Sequence, residues 1–356
     1  MENYPTHQYI ERETSQIRTE QFFGNRSIQF VYSQVRENAH TLFNALTSRR
    51  LSGLLARFIY DSTLGSRMTG SGKIMNDLQI DLSECLDDPE SLDTIRKIFE
   101  RKIRYWETRP MSNNYWIIVS PSDSRILVGS FCETSQLFLK DKFFSFEELL
   151  GLGNRPWIDF FKNGDFAVFR LTPEKYHYNH TPVAGKVLDI FEIEGTYHSC
   201  HPGAVIALAT PFSKNKRVVT IINTDVDGGS QSGLVAMVEV VALLIGDINQ
   251  CYSEDRYDQP LKITKGMFLQ KGQPKSLYRP GSSTNILIFQ KDRVVFCQDL
   301  VRNMVHHRAE SIFSRGFCRP LVETEVKVRS PIAYTRNNET DTRKLMPWPM
   351  KFLSLV

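Results

Sequence analysis

Past Pro110 the sequence leaves helical spacing and breaks into short runs of β-branched and aromatic residues, a switch that constrains the fold more than any other feature of the chain. Residues 116–119 (WIIV), 125–128 (RILV) and 166–169 (FAVF) are too short for helices and suit a pleated, half-buried surface. Residues 187–193, followed by Glu194-Gly195, read as a hairpin arm; 217–223 read as a strand, with turn chemistry beyond it at Asp227-Gly228-Gly229. Residues 285–289 and 293–296, joined by Gln290-Lys291-Asp292, read as a further hairpin, and a short helix is predicted over 144–152.

Before Pro110 the pattern is helical. Apolar residues recur at Ala39, Leu42, Phe43, Leu46, Leu54, Leu55, Phe58 and Ile59, with Arg49, Arg50 and Arg57 beside them. Such a stripe either packs on a core or rests on anionic lipid. Asp87-Asp88-Pro89 is a helix start, and Leu92, Ile95, Phe99 and Ile103 follow at helical spacing. The patterns predict an α+β fold: a helical N-terminal region over residues 1–110, with a membrane-facing role open to it, and a β-rich domain over 111–356.

A formal net charge of +4 on 356 residues is too mild to argue for nucleic acid, and it fits a weakly basic face on anionic lipid. Six cysteines are scattered without a C-x-x-C pair, which points to free thiols in a reducing compartment. The longest apolar run, residues 233–246, is interrupted by Glu239 and is too short to span a bilayer. The first residues lack the basic and apolar regions of a signal peptide. The expectation is a cytoplasmic protein, peripheral on a membrane.

The most specific segment is 271–289, KGQPKSLYRPGSSTNILIF, in which a Gly-Ser-Ser-Thr turn opens an apolar strand. Alone, those residues are ordinary hairpin chemistry. Two more segments accompany it: LTPEKYHYNHTPVAG over 171–185, and SPSDSR over 120–125. In this order, together with the run 235–240, they resemble the phosphatidylserine decarboxylase family. That family carries a Lys-Gly turn followed by Gly-Ser-Thr, a Tyr-His-x-x-His-x-Pro-x-x-Gly element and a Ser-Pro-x-Asp-Gly segment. The resemblance covers roughly residues 90 to 300 and includes an ungapped match from Lys271 to Phe289.

The resemblance implies a carboxy-lyase that makes its own cofactor. Ser283 would attack the carbonyl before it, His180 would act as base, and Asp123 would orient the imidazole. The chain would be cut at Ser282–Ser283, and Ser283 would become a pyruvoyl group that serves as an electron sink. His177 would handle the substrate carboxylate and a proton. The implied reaction converts phosphatidylserine to phosphatidylethanolamine and carbon dioxide at an anionic membrane surface, and a homodimer is compatible with it. Two alternatives stay open: a decarboxylase of a free amino acid or another amine-bearing carboxylate, and a non-catalytic lipid-binding homologue.

This chain departs from the family pattern at three positions. Ser282 stands where the family usually has Gly, so the cut falls either there or one residue earlier, at Gly281–Ser282. Ser124 replaces the Gly after the Asp. His201 stands where many members carry Asn. His177 with His180, and His198 with Cys200 and His201, also offer zinc-type donors. The resemblance already accounts for the first pair and no C-x-x-C supports the second, so no metal is expected.

Overall fold

The computed structural model describes residues 6–22, 31–48, 80–139, 142–243, 247–279 and 283–336. Among these, sixteen strands form: β1 (Gln8–Glu11), β2 (Gln16–Thr19), β3 (Ile117–Val119), β4 (Ser124–Ser130), β5 (Asp165–Leu171), β6 (Tyr178–His180), β7 (Gly185–Ile193), β8 (Arg217–Asn223), β9 (Leu234–Val240), β10 (Ile248–Gln250), β11 (Phe268–Leu269), β12 (Pro274–Tyr278), β13 (Ser283–Phe289), β14 (Val294–Phe296), β15 (Glu323–Val326) and β16 (Pro331–Thr335). Ten of them make one sheet in the order β11-β7-β8-β9-β13-β5-β4-β15-β1-β2. Two three-stranded sheets, β10-β12-β6 and β14-β16-β3, complete the β structure. With short helices between the strands, the fold is α+β.

Strand β13 is central because its sequence is apolar on both faces, and an apolar strand must be covered on both. Ile286, Leu287, Ile288 and Phe289 are fully buried, each contributing about 1.5–3 kcal/mol over an exposed side chain. Both edges of β13 are occupied, by β5 and by β9. This is why residues 285–289 and 293–296 do not form the predicted hairpin. No edge of β13 is left for β14, which pairs with β16 in another sheet. The intervening turn, with Asp292 at φ 59°, redirects the chain instead of returning it. The 187–193 segment likewise finds its partner late: Glu194-Gly195 leads into short helices, and β7 pairs with β8 only after residue 216.

Local signals before Pro110 are read correctly but end sooner than expected. Asp88 accepts a hydrogen bond from the Glu90 amide at 3.0 Å and caps the turn Pro89–Ser91. Thr94 caps the helix Ile95–Phe99, which stops at Glu100. The predicted continuation to Ile103 is broken because Ile103 forms a bridge with Cys85. The helix Phe146–Leu150, capped by Ser145, lies inside the predicted 144–152.

Among the described residues, the expected helical N-terminal region is helical only in short pieces. Its first described residues are strands: β1 pairs in parallel with β15 and antiparallel with β2, so they extend the large sheet. On the helix His40–Leu46, Leu42 is half exposed and Phe43 is buried. Arg49, Arg50, Leu54, Leu55, Arg57, Phe58 and Ile59, the rest of the proposed stripe, lie outside the described residues. No helix among the described residues is long and apolar enough to cross a membrane.

The sheet β10-β12-β6 is anchored to β13 through Asn179 and Asn285. Strand alternation turns Tyr178 to its other side, into an aromatic cluster with Ile103, Tyr105, Tyr176, Leu277 and Val328.

Candidate active site

Ser283 opens β13 opposite Leu171 of β5. It is fully buried, and its Oγ has no hydrogen-bond partner among the described residues. Leaving a buried hydroxyl unsatisfied costs about 1–3 kcal/mol, so such a group calls for a reason. A desolvated, uncommitted hydroxyl at a strand head suits an internal nucleophile, and so Ser283 fits conversion to a pyruvoyl group. Its carbonyl lies 3.8 Å from Cys200 Sγ, which brings the 197–202 segment to the site. Gly281 and Ser282, and with them either scissile bond, lie outside the described residues.

His180 is fully buried on β6. Its Nδ1 sits 2.8 Å from the Gly272 carbonyl, which can only accept, so Nδ1 carries the proton and Nε2 keeps its lone pair. Tyr176 Oη approaches Nε2 at 3.0 Å, and the Tyr105 ring meets the imidazole edge-on at 4.6 Å. Burial pushes the imidazole pKa down to about 3, against the opposing pull of the Gly272 carbonyl. The Lys271-Gly272 turn owes its shape to glycine: φ is +77°, and a Cβ there would run into Met111 Sδ.

Asp123 was expected to orient His180. Both its oxygens are committed elsewhere. Arg109 donates from Nε to Oδ1 at 3.0 Å and from Nη2 to Oδ2 at 2.7 Å, and the Val328 amide donates to Oδ1 at 2.7 Å. Burial would raise this carboxyl; Arg109 and the amide overcome that and bring it to about 2. No hydrogen bond among the described residues joins Asp123, His180 and Ser283 to one another. The tautomer of His180 is fixed by Gly272, not by Asp123. Arg109 carries no sequence signal for this role, because it ends a short helix fourteen residues from its partner.

His177 is fully buried just before β6. Its Nδ1 lies 2.7 Å from the Lys175 carbonyl, and its ring packs on Phe99 at 4.7 Å. Its own carbonyl accepts from the Tyr278 amide at 3.1 Å. His177 therefore flanks the end of β12, where the chain leaves toward Ser283. Both imidazoles face the 95–108 segment, through Phe99 and Tyr105.

Two buried polar clusters were not foreseen. In the first, Arg170, in register with Thr284, donates to Glu323 Oε1 at 2.9 Å and to Glu20 Oε2 at 2.6 Å, and Arg125 also meets Glu20. His7 Nδ1 accepts from the Ile312 amide at 3.1 Å, so Nε2 carries the proton it donates to Glu323 at 2.9 Å. The donor atoms of His7, Glu20 and Glu323 lie within 4.8 Å of one another, but the two guanidiniums already balance the two carboxylates. This is an ion-pair knot. In the second cluster Lys275 Nζ lies 2.7 Å from Glu239 Oε2, both side chains being fully shielded from solvent. Glu239 is the residue that interrupts the 233–246 run; a carboxylate inside an apolar strand was the available signal.

Three buried imidazoles share one pH behaviour. Burial lowers His198 and His201 to about 4, as it lowers His180 to about 3. Each stays neutral in the fold and takes a proton when unfolded, below about pH 6.5. Stability is expected to be full above that pH and to fall on acidification toward about pH 3–4. Urea midpoints of the Ser283→Ala protein across this range check it; midpoints that rise on acidification would refute the burial account.

The large mixed sheet thus buries an uncommitted serine at a strand head, with buried histidines on the neighbouring small sheet. Comparison supplies the family. A sequence model of phosphatidylserine decarboxylase matches residues 95–311, more than half of the chain, and the chain belongs to the phosphatidylserine decarboxylase family. It is similar to the phosphatidylserine decarboxylase proenzyme of Fusobacterium nucleatum subsp. nucleatum, at 28% identity over 308 residues covering 85% of this chain and 93% of that one. Phosphatidylserine decarboxylase proenzyme 2 of Oryza sativa subsp. japonica is 34% identical over 229 residues, 63% of this chain and 34% of the rice protein. The proenzyme of Chlamydia trachomatis serovar L2 is 34% identical over 204 residues, 57% of this chain and 62% of its own length.

Proposed function

We propose that this chain is a proenzyme that cuts itself at Ser282–Ser283 and then decarboxylates phosphatidylserine to phosphatidylethanolamine, as a peripheral protein on an anionic membrane. The observation that carries the reading is the buried Oγ of Ser283, without a hydrogen-bond partner among the described residues, in a chain of this family. In the first step Oγ bonds to the carbonyl carbon of residue 282, the C–N bond breaks, and the Oγ proton ends on the freed nitrogen. The resulting ester loses the Cα proton and breaks at Cβ–O, which releases the carboxylate of residue 282 and leaves dehydroalanine. Water then displaces ammonia, and residue 283 becomes a pyruvoyl group that caps the chain from residue 284 onward.

His180 is the proposed base. It is neutral at working pH because burial holds its pKa down, and Nε2 is the nitrogen with a lone pair. To take the serine proton, Nε2 must exchange Tyr176 for Ser283. Asp123 acts at one remove in this reading: clamped by Arg109, it holds the 120–123 loop whose Pro121 carbonyl accepts the His180 amide at 2.7 Å. The pyruvoyl group supplies a carbonyl that takes up the electron pair left by carbon dioxide. His177 positions the substrate carboxylate and returns the proton.

Intact mass and a carbon dioxide assay test the reading together. Two chains are expected, the smaller beginning at residue 283 and lighter than a serine-led fragment by one ammonia. Labelled carbon dioxide should leave carboxyl-labelled phosphatidylserine in vesicles but not free serine. An uncut chain, or an unmodified serine terminus, would defeat the self-processing claim; a pyruvoyl at residue 282 would move the cut to Gly281–Ser282. Release from free serine alone would replace the lipid substrate with a soluble one.

A further inference from the structure

We propose that Asn285 is a positioning residue for self-cleavage, because its one amide group ties together every segment the reaction needs. This rests on the reading that Ser283 is the nucleophile. Asn285 lies two residues after Ser283 on β13, on the same face of the strand. Its Nδ2 donates to Ser122 Oγ at 3.1 Å and to Asn179 Oδ1 at 2.8 Å. Its Oδ1 lies 2.8 Å from Tyr278 Oη. Ser122 precedes Asp123, Asn179 precedes His180, and Tyr278 ends β12 just before the segment that leads to Ser283.

The donor sense of this hub is fixed from outside. Asn179 Nδ2 donates to Ser276 Oγ at 2.9 Å and to Glu239 Oε1 at 3.3 Å, so its Oδ1 must face Asn285. Glu239 is held in turn by Lys275 at 2.7 Å and by Gln250 at 2.9 Å. Only an amide offers two donors and one acceptor in this arrangement. Tyr278 Oη also lies 2.9 Å from the Thr284 carbonyl and accepts from the Val240 amide at 3.2 Å. The hub thus grips the chain on both sides of residues 279–282, and it acts on Ser283 through backbone placement alone.

Pulse–chase of the full chain in cell-free synthesis, read by intact mass, tests the role. Asn285→Ala should slow cleavage about 100-fold, the scale of loss that a misplacement of about 1 Å brings. Leu287→Ala, on the same face and fully buried, serves as the stability control and should cleave at the wild-type rate at a matched margin below its thermal midpoint. Asn285→Asp adds a readout that a purely structural role would not move. As a carboxylate it repels Asn179 Oδ1 and the Glu239 carboxylate opposite it on β9; as a neutral acid it can donate to Asn179 and accept from Tyr278. Lys275, beyond Glu239, and Asp123, held by Arg109, are the other charged groups of the cluster. Its rate relative to wild type should rise about tenfold or more from about pH 8 to about pH 5, while that of Asn285→Ala stays flat. Wild-type cleavage with normal Asn285→Ala kinetics, equal slowing in Leu287→Ala, or no acid rescue of Asn285→Asp would each overturn the positioning role alone. An uncut wild-type chain would overturn the underlying reading instead.

Discussion

Ser283→Ala should give a single uncut chain, inactive toward phosphatidylserine and no less stable than its parent. Loss of Oγ removes the proposed nucleophile, so the expected effect is complete and not a slowing. Because Oγ makes no hydrogen bond among the described residues, its removal strands no partner there. Deleting an unsatisfied buried hydroxyl should instead return part of the about 1–3 kcal/mol that such a group costs. This separates the variant from an ordinary core lesion, in which function and stability fall together. A denaturing gel with intact mass and a thermal melt give both readouts. A chain that still cuts itself would shift the nucleophile to Ser282, and Ser282→Ala would then be the blocking change.

His177→Ala should behave in the opposite way: cut, pyruvoyl-bearing and nearly without turnover. His177 and His180 lie three residues apart, yet the structure gives them different anchors. His180 is held by Gly272 on the Lys-Gly turn, whereas His177 is held by the carbonyl of Lys175 and by Phe99. Removing the His177 ring leaves the His180 contacts in place, so self-cleavage should proceed. Loss of proton transfer to the product carbon should lower turnover about 10² to 10⁴-fold. Intact mass reports the first step and carbon dioxide release the second. His177→Ala that remains uncut, or that is cut and fully active, would end this division of labour; His180→Ala, expected to stay uncut, is the companion measurement.

What the sequence made legible follows the range of the forces involved. Asp88 with Pro89 and Ser145 before the 146–150 helix act within a few residues, and their caps form where the sequence places them. The apolar strand after Ser283 was legible from its composition. Its partners were not, because β5 and β9 are remote in sequence, with other strands between, and leave no edge for the adjacent run at 293–296. The site shows the same split. Ser283, His177 and His180 carry motif signals and prove to be fully buried. The Arg109 clamp on Asp123, the Gly272 carbonyl on His180 and the Asn285 hub are tertiary contacts between segments that no local spacing connects. The 8–19 strands were missed because runs of four residues show too little alternation to stand apart from a loop.

The interleaving of strands across the proposed cut would change the molecularity of folding. β13 lies between two strands of the larger piece, β15 lies between β1 and β4, and β16 pairs with β3. A cut between residues 282 and 283 would therefore release nothing: the smaller piece would stay woven into two sheets and could leave only if both came apart. Before the cut, refolding is unimolecular and independent of concentration. After it, the same native contacts must be rebuilt by two molecules that have to meet, so recovery depends on dilution and competes with aggregation of the exposed sheets. Activation would thus convert a chain that can renature alone into an assembly that persists mainly because it seldom opens.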